Sequence, residues 1–226
     1  MIKISDVIKD LKESQAAKYH RGKSWEYCYK FFRNYRKLRN DDELLDHAAL
    51  HLAFFLASWG MLRGSSFLLQ KDYKFFIPII EILINQKYDK LWDFNFSGEI
   101  KEQDIALLFD LKGKLEKKIK ENNEADGDDE EHEMDLIITK IIMATMGCSP
   151  SYDTYFKAGL KNIEKRKLSN FTKDSFRDLI NLSKKDKELR KIYRKDFFIK
   201  GTNIKYPPMR LLDLYFWLLG SKNSKN

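Results

Sequence analysis

Apolar residues recur at helical spacing along most of the chain. Ile4, Val7, Ile8 and Leu11 predict an opening helix, with Ser5 and Asp6 as caps near its start. The basic stretch His20–Lys23 separates it from a second helix, from about Ser24 through Trp25, Tyr29, Phe32 and Tyr35 to about Leu38. A third helix starts near Asp41 or Asp42 and carries Leu44, Ala48, His51, Leu52, Phe55 and Trp59. From Ala48 on it is apolar on nearly all sides, as the central helix of a bundle is. Gly60 and Gly64 bracket Met61-Leu62-Arg63, with Ser65 and Ser66 following. Tyr73 to Ile84 predicts an apolar helix in which Pro78 marks a kink or a first turn. Asp104 to Asn122 is amphipathic and ends in a Lys-rich turn.

Beyond an acidic stretch, Asp135 to Met146 predicts an apolar helix that Gly147-Cys148-Ser149-Pro150 ends. The next helix is expected to begin at Pro150 or Ser151 and to carry Tyr152, Tyr155, Phe156 and Leu160. Basic helices are expected around Lys173–Asn181 and Lys185–Lys195. Tyr206-Pro207-Pro208 interrupts helix formation, and a last helix, Met209 to Leu219, is expected to end at Gly220. No alternating strand pattern persists, and Asp196–Ile204 leaves room for one short strand only. The fold class that follows is all-α, an irregular multi-helix bundle of roughly nine to eleven helices.

Composition supports this: four prolines and ten glycines among 226 residues leave few breakers, and 43% hydrophobic residues suffice for a core. Asn122 to Glu133, NNEADGDDEEHE, is too acidic to fold alone and is expected to be an exposed, mobile loop. It divides a single domain, 1–226, into lobes of about 1–121 and 134–226. The most apolar stretch, Ala48 to Leu62, contains His51 and is shorter than the roughly 20 residues of a membrane span, so a buried helix and no membrane partner are expected. The N-terminal segment mixes charge into every turn and has no apolar signal core. Cys28 and Cys148 share no short spacing, so neither a zinc knuckle nor a CxxC pair is present, and a reduced cytoplasmic setting is expected.

Charge changes the picture most. The net charge is +8, with residues 1–40 and 157–205 strongly basic and Glu121 to Asp135 holding nine acids and no Lys or Arg. Such asymmetry points to a charged partner, most often nucleic acid, or to solvated lysine-rich helix faces. His47 and His51 stand at i and i+4, a metal-binding spacing, but Ala48 follows His47 where HExxH has its glutamate, and no third ligand is indicated. No metal and no cofactor are assigned. P-loop and GxGxxG patterns are absent.

Two segments remain as candidate sites. Trp59 to Ser66 combines two glycines, an arginine and two hydroxyls, which suits a cradle for phosphate or carboxylate, or else a tight helix contact with Arg63 as a cap. From Thr139 to Phe156, a helix, a Gly-Cys-Ser-Pro turn and a second helix would present free N–H groups to an anion. There Tyr152 and Tyr155 are candidates to stack on bases and Lys157 and Lys161 to meet phosphates, with Arg63 joining them. The alternative makes Asp153 a first-turn acid and the aromatics core. Lys140, if buried, gains a lowered pKa and a nucleophilic amine. Cys148, before a helix start, is a place where a thiol pKa can fall, although a lone turn cysteine is more often inert.

Three segments, HLAFFLASWGMLRGSSFLLQKDYKFF (51–76), TKIIMATMGCSPSYDTYFKAGL (139–160) and YPPMRLLDLYFWLLG (206–220), resemble an uncharacterised family of bacterial hypothetical proteins, which implies no activity. A lysine on an apolar helix, a proline turn and a Tyr-Asp opening the next helix are also similar to the helix-hairpin-helix DNA glycosylase superfamily. That resemblance implies Lys140 and Asp153 as a catalytic pair. The chain departs from the pattern by lacking a glycine-bearing hairpin before Lys140 and by its short Lys-to-Asp interval. Nucleic-acid association is therefore the first functional expectation. A protein-interaction module using the acidic loop, or a small-molecule enzyme with a pocket near Trp59–Ser66, is the alternative.

Overall fold

The computed structural model describes residues 2–35, 41–64, 66–94, 101–123, 131–161, 168, 170–194 and 196–223. Ten α-helices are found among them: α1 (Ile4–Ala16), α2 (Gly22–Tyr35), α3 (Asp42–Ser58), α4 (Ile77–Leu83), α5 (Asp89–Trp92), α6 (Glu102–Asn122), α7 (Glu131–Thr145), α8 (Thr154–Lys161), α9 (Lys173–Lys185) and α10 (Pro208–Asn223). Among the described residues the only β-type pairing is one antiparallel bridge, Phe198 with Lys205, in the segment expected to have room for a strand. The all-α expectation holds.

One apolar core runs from Ile2 to Phe216 and draws on both halves of the chain. α3 and α7 supply fully buried residues such as Leu52, Phe55, Ile138 and Ile142. Trp25 joins the halves directly: its ring is buried in α2, and its indole N–H donates to the Met143 carbonyl of α7 at 3.1 Å. A buried indole needs such a partner. No helix among the described residues is long and apolar enough to cross a membrane.

Several boundaries differ from the expected ones, and three of them have an identifiable cause. Tyr73–Ile84 is not one helix. A 3-10 turn, Tyr73–Phe76, leads into α4, and Pro78 sits in the first turn of α4, where its missing N–H costs nothing. α8 begins at Thr154 rather than at Pro150 or Ser151, because Ser151 and Tyr152 are pinned outside the helix and Asp153 caps it. The Asp153 carboxylate accepts the Phe156 N–H at 2.8 Å. The predicted Lys185–Lys195 helix is a 3-10 turn, Leu189–Arg194, whose entry Asp186 caps by accepting the Glu188 and Leu189 N–H groups.

Gly220 does not end the last helix, which runs on to Asn223. Its role is close approach. A Cβ at Gly220 would lie 2.0 Å from the Tyr155 carbonyl oxygen, and one at Gly159 would lie 2.0 Å from the Phe216 carbonyl oxygen. α8 and α10 therefore pack backbone to backbone at two glycines, which fixes the N-terminus of α8 against α10. The two ends of the expected acidic loop are helical. Asn122 closes α6 and Glu131–Glu133 open α7, while residues 124–130 lie outside the described residues.

Candidate functional site

The turn after α3 and the segment before α8 meet around a buried set of charges. Ser151 donates both its N–H (2.8 Å) and its hydroxyl (2.7 Å) to Asp213 Oδ1, and Arg210 binds the other carboxylate oxygen of Asp213. Asp213 is fully buried and Arg210 nearly so. The Arg210 guanidinium also lies over the Trp59 ring at 4.8 Å and the Trp25 ring at 5.2 Å. Thr139 Oγ1 donates to the Ser151 carbonyl at 2.6 Å. These bonds lock Ser151 from both sides and force Tyr152 to a φ of +50°, a left-handed conformation that is costly for a bulky side chain. In that conformation the Tyr152 ring enters the core, 5.1 Å from Phe156 and 5.0 Å from Phe171.

Lys140 and Asp153 are part of this neighbourhood. Lys140 is buried, and its ammonium donates to the Trp59 carbonyl at 3.0 Å. It thereby satisfies a carbonyl at the C-terminal end of α3, where a cation also suits the helix dipole. Burial pulls its pKa down, against the pull of Asp153 and Asp213. Burial, and then the like charge of Asp213, hold the Asp153 carboxyl above the usual range. The two residues thus come together, and each carries a hydrogen bond that shapes a helix end.

A groove of about 510 Å³ opens beside this cluster. Its walls are Gly60, Met61, Arg63, Gly64 and Ser66 from the turn after α3, Glu133 and Leu136 from α7, and Tyr152, Thr154 and Lys157 from the start of α8. Gly60 (φ +77°) and Gly64 (φ +62°) give the turn its left-handed corners. Two buried oxygens here have no hydrogen-bond partner among the described residues: the Tyr152 hydroxyl and Ser66 Oγ. Tyr152 is 1% exposed, so its hydroxyl has lost water without gaining a protein partner. Lys157 is half-buried, and that burial lowers its pKa, with Lys161 one turn further on adding a like charge. Arg63 is exposed at the rim.

Of the residues singled out from the sequence, the groove brings together Arg63, Tyr152 and Lys157, and both candidate segments contribute to it. Tyr152 leaves the set of stacking rings, because its ring is packed against Phe156 and Phe171 and the whole residue is 1% exposed. Tyr155 is 40% exposed and meets Trp217 edge-on at 5.3 Å, away from the groove lining. Lys140 and Asp153 line neither this groove nor the pocket described below. Cys148 is buried and its thiol is pushed up to about 12, the opposite of an activated cysteine. The His51 ring stacks on Phe31 at 4.3 Å, and burial and then His47 lower its pKa. Among the described residues no group of three or more His, Cys, Asp or Glu side chains is placed to hold a metal.

Sequence reading missed Arg210 and Asp213. Their signal was present: an Arg and an Asp three residues apart in the otherwise apolar run YPPMRLLDLYFWLLG. Charges on one face of an apolar helix have to pair with each other. Comparison with protein-family models, with curated proteins and with solved structures gives no match.

Proposed function

We propose that the protein associates with nucleic acid and takes a backbone phosphate into the groove between Gly60–Ser66 and the start of α8. The observation that carries this reading is the convergence of Arg63 and Lys157 on a groove whose buried Tyr152 hydroxyl and Ser66 Oγ lack partners. A phosphate oxygen would satisfy both hydroxyls as donors, and the two cations would offset its charge. Glu133, also on the wall, opposes an anion, so the groove fits a phosphodiester with one charge better than a doubly charged phosphomonoester. The net charge of +8 supports a polyanionic partner. Several cations of the basic C-terminal half are already engaged: Arg177 with Glu102, Lys191 with Glu188 and Lys205 with Asp196. Binding is therefore expected to be local to the groove rather than spread over the whole basic segment.

The test is binding of labelled single- and double-stranded DNA and RNA across a salt series, with a free mononucleotide as a further probe. Arg63→Ala and Lys157→Ala should each weaken binding and flatten the salt slope by about one unit, while the exposed Lys114→Ala should change neither. No binding at low salt, or equal losses in all three variants, would sink the reading. Mononucleotide binding as tight as that of the polymer would move it to a small-molecule phosphoester.

A further inference from the structure

A second cavity, of about 260 Å³, is lined by Trp59 and by residues of α1, the segment opening α2, and α10. Asp10, Leu11 and Ser14 line it from α1, His20, Arg21 and Gly22 from the start of α2, and Tyr206, Arg210, Leu214 and Trp217 from the C-terminal segment. Its most unusual member is Arg210. One terminal nitrogen of this guanidinium binds Asp213, but Nε is buried and has no hydrogen-bond partner among the described residues. A donor on a charged fork, 3% exposed as a residue, is costly to leave unmade. Arg21 lies over the same indole as Arg210, at 5.7 Å from the Trp59 ring, so one tryptophan holds two guanidinium groups at one cavity.

We propose that this cavity binds a small aromatic carboxylate. Three features set the class. Cationic donors outnumber carboxylates: Arg210 Nε and Arg21 stand against the single carboxyl of Asp10, His20 Nδ1 is taken up by Ser14 and Gly22, and Asp213 is already committed to Ser151 and Arg210. Guanidinium groups match a planar carboxylate edge with parallel hydrogen bonds. The remaining wall is Leu11, Leu214 and the half-buried Trp217, an apolar surface for a flat ring. The volume, just under the range of about 300–1,000 Å³ for larger organic ligands, suits one or two fused rings. Burial raises the pKa of the Asp10 carboxyl, against the pull of His20 and Arg210.

The probes are benzoate and indole-3-acetate, their neutral amides, and inorganic phosphate, titrated by calorimetry and by tryptophan fluorescence, since Trp59 and Trp217 both line the cavity. The acids should bind about tenfold or more tightly than their amides, as loss of a charged hydrogen-bonding partner requires. Arg21→Gln, at an exposed position, should weaken the acids and leave the amides unchanged, and Arg63→Ala should leave both unchanged. Equal binding of acid and amide, no binding of either acid at millimolar concentration, or phosphate competing better than benzoate would overturn the assignment. The acid–amide comparison uses the unaltered protein, so it stands even if Arg21→Gln fails to fold. This cavity does not depend on the phosphate groove: Arg63→Ala separates the two sites.

Discussion

Two regions of this molecule hold charge and polar groups under cover, and they differ in how those groups are satisfied. Around Asp213, the carboxylate's partners are internal: Ser151 supplies two donors, Arg210 supplies a third, and Lys140 reaches the Trp59 carbonyl, with Arg210 Nε alone left over among the described residues. Along the groove wall, the hydroxyls of Tyr152 and Ser66 are buried without partners among the described residues, on the same wall as Arg63 and Lys157. The same short segment, Ser151 to Asp153, serves both. Its Ser151 is pinned inward, and that pinning strains Tyr152, a residue of the groove wall, into the left-handed region. Satisfied buried polar groups hold a fold in one arrangement, whereas unsatisfied ones beside cations mark where a ligand supplies the missing partner.

The internal network should break hardest. Asp213→Ala leaves the Arg210 guanidinium buried without its counter-charge and frees two Ser151 donors, so a loss of about 3–5 kcal/mol is expected in urea unfolding. A loss below about 1 kcal/mol would mean that water reaches the cluster and that the contrast with the groove is false.

Next comes the scaffold that fixes both regions. Gly159→Ala places a methyl group 2.0 Å from the Phe216 carbonyl oxygen, so α8 and α10 must separate. Overpacking of this kind costs about 1–3 kcal/mol and sometimes more, and ligand binding at the groove should fall with it, because the start of α8 moves. Gly113→Ala, where a Cβ meets nothing within 4 Å, is the control and should be neutral or slightly stabilising.

A smaller effect sharpens the assignment of Asp153 to the internal side. Its carboxyl pKa is raised in the folded state, so between the unfolded value and the folded one the native protein holds more protons than the unfolded chain. Stability from this group therefore falls as pH rises through that window. Asp153→Asn keeps an oxygen to cap α8 and removes the titration. The unfolding midpoint should depend less on pH, from about 4 upward, in the variant than in the unaltered protein. An unchanged pH profile would place the carboxyl in water and outside the Asp213 neighbourhood.

How much of this was legible beforehand depends on whether the physics is local. Helical spacing located α1, α2, α3, α6 and α7, because burial of one face writes itself into the sequence at every turn. The start of α8 was not legible. Pro150 and Ser151 are good helix starters, but Asp213, 62 residues from Ser151, claims the Ser151 N–H and hydroxyl. Gly220 showed the same limit: a glycine near a helix end reads as a stop, yet here it serves a contact with Tyr155 that only the tertiary fold creates. Both candidate segments were visible from composition, and Arg63 and Lys157 with them. That Tyr152 turns its ring into the core rather than toward a ligand depends on a left-handed φ that no local pattern announced.

Tyr152→Phe tests the contrast between the two regions most directly, because it removes only the unpartnered hydroxyl. If the groove is kept for a ligand, the variant should be more stable than the unaltered protein, by about 1 kcal/mol as a relieved buried polar group allows, and should bind nucleic acid more weakly at the same salt concentration. A variant that loses stability, or that binds as well as before, would show that the hydroxyl has a structural partner or no ligand, and the groove would lose its claim to function.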